Sequence, residues 1–248
     1  MSGHSKWATI RHKKGAEDAK RGRLFTKLIK EITVAARSGG GDEDANPRLR
    51  TAVLKAKSAN MPKDNIERAV KKGTGELEGV DYTELTYEAY GPGGVAVLIQ
   101  CLTDNKNRTA ADIRNILAKG GGNLGETGCV SYLFQRKGVI AIDGEQFDED
   151  EVIMAALDSG ADDVTNDGGY IEVLTDPDAF DGVLNALTEA GIENTSAEVT
   201  MVPDANVALD DAKTKKALNL IERIDEHDDV QTVSSNLEIP DDFDFDEE

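Results

Sequence analysis

The 248-residue chain carries 28 Lys and Arg against 48 Asp and Glu, a formal net charge of −20. Hydrophobic residues at 39% and aromatics at 5% make it lean but globular, with length enough for one to three domains around real cores. Val95–Ile99, the longest apolar run near the middle, is far shorter than the roughly 20 residues of a membrane span. Residues 1–7 lack the apolar core of a secretory signal, and two cysteines, Cys101 and Cys129, exclude a disulfide scaffold, so a cytoplasmic protein is expected.

In chain order, residues 1–15 place Lys6, Arg11, Lys13 and Lys14 among Gly, Ser and His with no apolar period, and read as a basic arm. From Ala16 to Arg37 the period is helical. Leu24, Phe25, Leu28, Ile29, Ile32, Ala35 and Ala36 fall within an arc of about 140° at 100° per residue. Arg23, Lys27, Lys30 and Arg37 occupy a second arc, about 80° wide, on the far side. Residues 38–44 form a polar loop. Asn46-Pro47 caps and starts a second helix lined by Leu49, Ala52, Val53 and Ala56. Pro62 opens a third, with Ile66, Ala69 and Val70 inward and Lys71-Lys72-Gly73 closing it.

After Asp81 the period becomes that of strands. Thr83–Tyr90 and Gly94–Leu102 flank the turn signal Gly91-Pro92-Gly93 as a hairpin. Asn107–Lys119 reads as a helix, and a strand is expected around Cys129–Gln135. The series Val139–Ile142, Asp148–Asp158, Asp163–Thr165, Tyr170–Thr175, Asp178–Ala190 and Ala197–Val202 has the β-α-β-β-α-β order of a ferredoxin-like unit. A helix, Ala208–Glu226, and a strand, Val230–Leu237, are left over and return to the hairpin domain. The expected fold is therefore α+β: a small basic helical domain (1–78), a discontinuous α/β domain (79–136 and 203–239), a ferredoxin-like α/β domain (137–202) inserted into it, and an acidic tail (240–248).

Charge follows this division. Residues 1–75 carry +10 and residues 138–248 carry −28, so a cationic module is joined to an anionic body and the local field, not the total, selects a polyion partner. Lys6, Arg11, Lys13, Lys14, Lys20, Arg21, Arg23, Lys27 and Lys30 are the candidate phosphate contacts, since each neutralised phosphate releases condensed counterions. Trp7 can stack on a base or anchor the arm to the helical domain; the sequence leaves both open. If about five of these cations meet phosphates, log K falls with log[salt] at a slope of about −3.5 to −4.5. Lys106, Arg108, Arg114 and Lys119 form a secondary basic patch. Gly122-Asn123-Leu124-Gly125 matches the four-residue turn that clamps a nucleic-acid backbone in KH domains, but reads better as a helix-to-strand turn needing positive φ.

No catalytic or metal-binding motif is present: the histidines are His4, His12 and His227, without zincin, Cys-x-x-Cys, nucleophile-elbow or phosphate-loop spacing. A non-enzyme without cofactor, metal or small-molecule substrate is expected. The rival classes are a protein-interaction module with acidic domains for a basic partner, and a hydrolase whose polar cluster assembles from distant residues.

Gly3-His4-Ser5-Lys6-Trp7-Ala8-Thr9-Ile10-Arg11-His12-Lys13-Lys14 resembles the opening signature of the YebC family. Ala59–Lys63, Tyr87–Gly94 and Thr103–Thr109 match further landmarks of that family in order. These are bacterial proteins with a mitochondrial relative that activates translation. The resemblance implies three domains, the third inserted into the second. It also implies a DNA-binding transcriptional regulator or, alternatively, a ribosome-associated factor that binds ribosomal RNA and relieves stalling at difficult sequences such as proline runs. It supplies no catalytic residue.

Overall fold

In this computed structural model, residues 17–167, 169–240 and 243 are described, with side chains from Arg21 onward apart from residue 167. Helix α1 (Glu17–Gly39) runs through the apolar and cationic arcs together. Asn46 ends it and begins the next. Its side-chain amide donates to the carbonyls of Ala35 and Gly40, both at 2.8 Å, while its Oδ1 accepts from Leu49 N–H at 3.1 Å. That satisfies orphan groups at two helix termini with one side chain. Helices α2 (Pro47–Ser58) and α3 (Lys63–Thr74) then pack on α1 around Leu28, Ile32, Ala36, Leu49, Val53 and Ile66. Leu24, expected in this core, is 42% exposed.

Helix α3 does not close at Gly73. It continues to Thr74, and Gly75, at φ 84°, takes the left-handed cap. Gly73 instead lies where α3 meets α1: a Cβ there would come within 2.4 Å of the Thr33 carbonyl oxygen and 2.6 Å of Ala36 Cβ. Gly73→Ala is therefore expected to destabilise the protein by about 1–3 kcal/mol through overpacking, against a helix-propensity gain of up to about 1 kcal/mol. Calorimetry decides: a lower Tm is expected, and an unchanged or raised Tm would show that the helices can part without cost.

The second domain is an antiparallel sheet in the order β3-β1-β2-β9. Its strands are β1 (Thr83–Tyr90), β2 (Ala96–Thr103), β3 (Asn123–Leu124) and β9 (Val230–Ser235). The β1–β2 turn places Gly93 at φ 74° beneath Leu209. On one face Val97, Ile99 and Cys101 meet Ile113 and Leu117 of α4 (Lys106–Lys119) and Leu220, Ile221 and Ile224 of α7 (Asp211–Asp225). Phe243 packs against this same core. On the other face Ala96 and Leu98 meet Val130, Phe134 and Met201. Two short strands, β8 (Val207–Ala208) and β10 (Leu237–Glu238), pair in parallel.

Between β3 and β8 the chain builds the third domain from β4 (Phe134–Asp143), α5 (Glu149–Asp158), β5 (Asp163–Asp167), β6 (Tyr170–Thr175), α6 (Phe180–Glu189) and β7 (Asn194–Pro203). The sheet order β5-β6-β4-β7, with every neighbouring pair antiparallel, is that of the ferredoxin-like split βαβ unit. The two strands expected at Cys129–Gln135 and Val139–Ile142 are corrected here. Ser131–Leu133 is a 3₁₀ turn, and β4 is a single strand from Phe134. β7 pairs with it from Phe134 opposite Pro203 to Ala141 opposite Ser196, and the register then shifts so that Ile142 faces Asn194.

Candidate nucleic-acid interface

The cationic arc of α1 is engaged by carboxylates, and its middle, Lys27 and Lys30, is covered by the second domain. Lys27 Nζ donates to the Asp225 carbonyl at 2.7 Å and to its carboxylate at 2.9 Å. One turn further, Lys30 Nζ donates to the Asp228 carbonyl at 2.8 Å and to Asp229 Oδ1 at 2.7 Å, and lies 5.6 Å from the Tyr82 ring. Arg23 pairs with Glu226 at 2.8 Å and Arg37 with Asp81. The segment Asp225–Asp229, at the end of α7 and before β9, is thus the anionic counterpart of Arg23, Lys27 and Lys30.

Asp229 organises the site. It is buried, its Oδ2 accepting from Arg108 at 2.8 Å, Thr109 Oγ1 at 2.8 Å and Thr103 Oγ1 at 3.2 Å, while Oδ1 takes Lys30. Burial alone would raise its pKa. The hydrogen bonds from Arg108, Lys30 and Thr109, with the Lys30 charge, hold it well below the usual carboxylate range. Its hydrogen bond and that of Asp104 raise the Arg108 pKa further. Burial, with the Asp229 charge, pushes the Cys101 thiol up to about 12.

The expected site residues therefore separate. Lys6, Trp7, Arg11, Lys13 and Lys14 lie outside the described residues, as does the Lys20 side chain. Arg21 is exposed. Reading Lys27 and Lys30 as solvent-facing phosphate ligands needs correction: Lys30 is 8% exposed and both are engaged by carboxylates. Arg23, on the same arc, is engaged through its more exposed pair. In the secondary patch Arg108 is held by Asp104 and Asp229. Lys106 is exposed at the start of α4, while Arg114 and Lys119, both exposed, project about 140° apart around that helix. These four form no common face.

Three cations of α3, which local pattern marks only as helix punctuation or not at all, meet the requirement better. Arg68, Lys71 and Lys72 share an arc of about 100° on α3, opposite Ile66 and Ala69. Arg68 and Lys71 are exposed and Lys72 partly so, and none has an ion-pair partner among the described residues. Their position relative to the apolar stripe was the available signal. The glycine loop is no phosphate clamp. Gly122 N–H donates to the Leu117 carbonyl at 2.8 Å and Gly125 N–H to the Glu88 carbonyl at 2.7 Å, with β3 paired to β1 between them. The positive φ of this turn falls at Gly121, at 79°.

Among the described residues no group of three His, Cys, Asp or Glu could hold a metal ion, and no helix is long and apolar enough to cross a membrane. His227 contacts Asp112 at 3.3 Å and accepts from Asp229 N–H at 3.1 Å, which supports the turn before β9.

Comparison with known proteins places this arrangement. Residues 5–76 match the family described as TACO1/YebC protein N-terminal domain, and residues 82–237 that described as TACO1/YebC second and third domain. A relative in Treponema denticola, named probable transcriptional regulatory protein, is 65% identical over 247 residues, 100% of both chains. One in Geobacter sulfurreducens, with the same descriptive name, is 58% identical over 239 residues, 96% of each. The crystal structure of a conserved hypothetical protein from Aquifex aeolicus is similar at a TM-score of 0.81 and 47% identity, covering 90% of this chain and 92% of that one. With both family matches spanning nearly the whole length and relatives that bear a regulator's name, the chain belongs to the TACO1/YebC family.

Proposed function

We propose that the protein is a cytoplasmic, non-enzymatic regulator of gene expression that binds nucleic acid, DNA first, through the phosphate backbone. The observation that carries this reading is the α3 cation row: among the described residues, Arg68, Lys71 and Lys72 have no acidic partner, whereas most other described cations of the domain are paired. Phosphate is the ligand such a row rewards, because ion release scales with the number of contacts. The basic arm, with Lys13 and Lys14, extends the same chemistry, and the regulator's name borne by the relatives agrees with it.

The test is the salt dependence of binding by the full chain to a mixed-sequence DNA duplex. Replacing Arg68, Lys71 and Lys72 together with Gln is expected to flatten the slope of log K against log[salt] by about 2.7 units, at about 0.9 per lost contact. Neutralising Lys13 and Lys14 should flatten it by nearly two units. Slopes indifferent to both sets would remove the assigned interface. Crosslinking in cells identifies the bound polymer: chromosomal DNA supports the transcriptional reading, and ribosomal RNA replaces it with action on the ribosome.

A further inference from the structure

Among the described residues, the ion pairs that join the first domain to the second all have one polarity. Arg23, Lys27, Lys30, Arg37 and Arg48 supply the cations, and Glu226, Asp225, Asp229, Asp81 and Glu84 the anions. Junctions built on an apolar core hold permanently, whereas a charged one exchanges with solutes of the right sign. Along α1 the pairs are graded. Arg23 and Glu226 are 36% and 48% exposed, Lys27 and Asp225 14% and 15%, and Lys30 and Asp229 10% and 4%. The open end of the row is the one nearest residues 1–16, where the basic arm joins α1.

We propose that the Asp225–Glu226 carboxylates are an intramolecular competitor for nucleic-acid phosphate. A polyanion drawn to the basic arm displaces them from Arg23 and then Lys27, and the N-terminal end of α1 parts from the second domain as it binds. The carboxylate oxygens lie 2.8–2.9 Å from the Arg23 and Lys27 nitrogens, the positions phosphate oxygens would occupy. Lys30 with Asp229 is the buried stop at which opening ends. This inference rests on the nucleic-acid reading above, and adds that the docked form is the weaker binder.

The test uses the full chain with Asp225→Asn and Glu226→Gln combined, leaving Asp229 in place to preserve the fold. Against a mixed-sequence duplex at low salt, affinity is expected to rise roughly tenfold, within the usual range of coupling between sites. The salt slope should steepen, by about 0.9 units for each cation that turns to phosphate. The control is Glu126→Gln with Asp211→Asn, which removes the same charge from exposed positions of the same domain without freeing a cation. It should leave the slope unchanged. Small-angle scattering of the free variant should also show a larger radius of gyration than the parent. Equal slopes in variant and parent, or an equal steepening in the control, overturn the competition while leaving nucleic-acid binding intact. If the parent binds neither duplex nor structured RNA, the functional reading itself fails, and the competition with it.

Discussion

Replacing Asp229 by Ala is expected to cost about 3–5 kcal/mol, the range for breaking a buried ion pair by removing one partner. Four side chains converge on this carboxylate, and Lys30, itself 8% exposed, would be left with the carbonyls of Leu102 and Asp228 as acceptors. Urea unfolding at pH 7 should show a large fall in midpoint, with the first domain freed before the second unfolds. Asp229→Asn, which keeps the shape and the threonine contacts, should lie between parent and Ala variant. A loss below about 1 kcal/mol, the level of an exposed pair, would mean that the cluster does not hold the domains together. Because the folded pKa is depressed, this stabilisation is complete above the ordinary carboxylate pKa and declines as pH falls below it toward the folded value. Mild acid near pH 5 should therefore leave the domains docked.

Glu88→Gln is expected to cost about 1–3 kcal/mol, the penalty for leaving a buried donor unsatisfied. The Glu88 side chain, 5% exposed, accepts from the backbone N–H groups of Gly128 at 2.6 Å, Val130 at 2.7 Å and Ser131 at 2.8 Å. A glutamine amide offers one oxygen, so its NH₂ must face one of these donors. Burial pushes the carboxyl pKa up, but the three N–H groups, with the Ser131 hydroxyl, outweigh it and hold the value below its ordinary position. The difference between variant and parent should accordingly be full at neutral pH and shrink as pH falls through the folded pKa. Urea midpoints at pH 7 and pH 3.5 measure this. A gap that persists undiminished in acid would assign the loss to packing rather than to the carboxylate.

Both residues show how far the sequence could be read. Glu88 lies in a strand of alternating pattern, and nothing near it in the chain announces that the loop forty residues later supplies its donors. Asp229 is one acid in a run of four between residues 225 and 229, indistinguishable by composition from the solvated carboxylates of the third domain. The glycine-rich turn before β3 was legible as a turn, because chain reversal after a helix needs a left-handed residue. The tight contact at Gly73 was not, because it depends on which helix crosses there.

The sequence by itself determined the helical face of α1, the Asn46 cap, the return of the last helix and strand to the hairpin sheet, and the division of charge along the chain. All of these follow from periodicity, capping chemistry and composition, which act over a few residues or are summed over many. Only the tertiary structure decided which cations of α1 remain available. A lysine's role depends on the anion that reaches it, and the partners of Lys27 and Lys30 lie 198 and 199 residues away in the chain. Pairing over such separations is set by the packing of whole domains, and local pattern carries no trace of it.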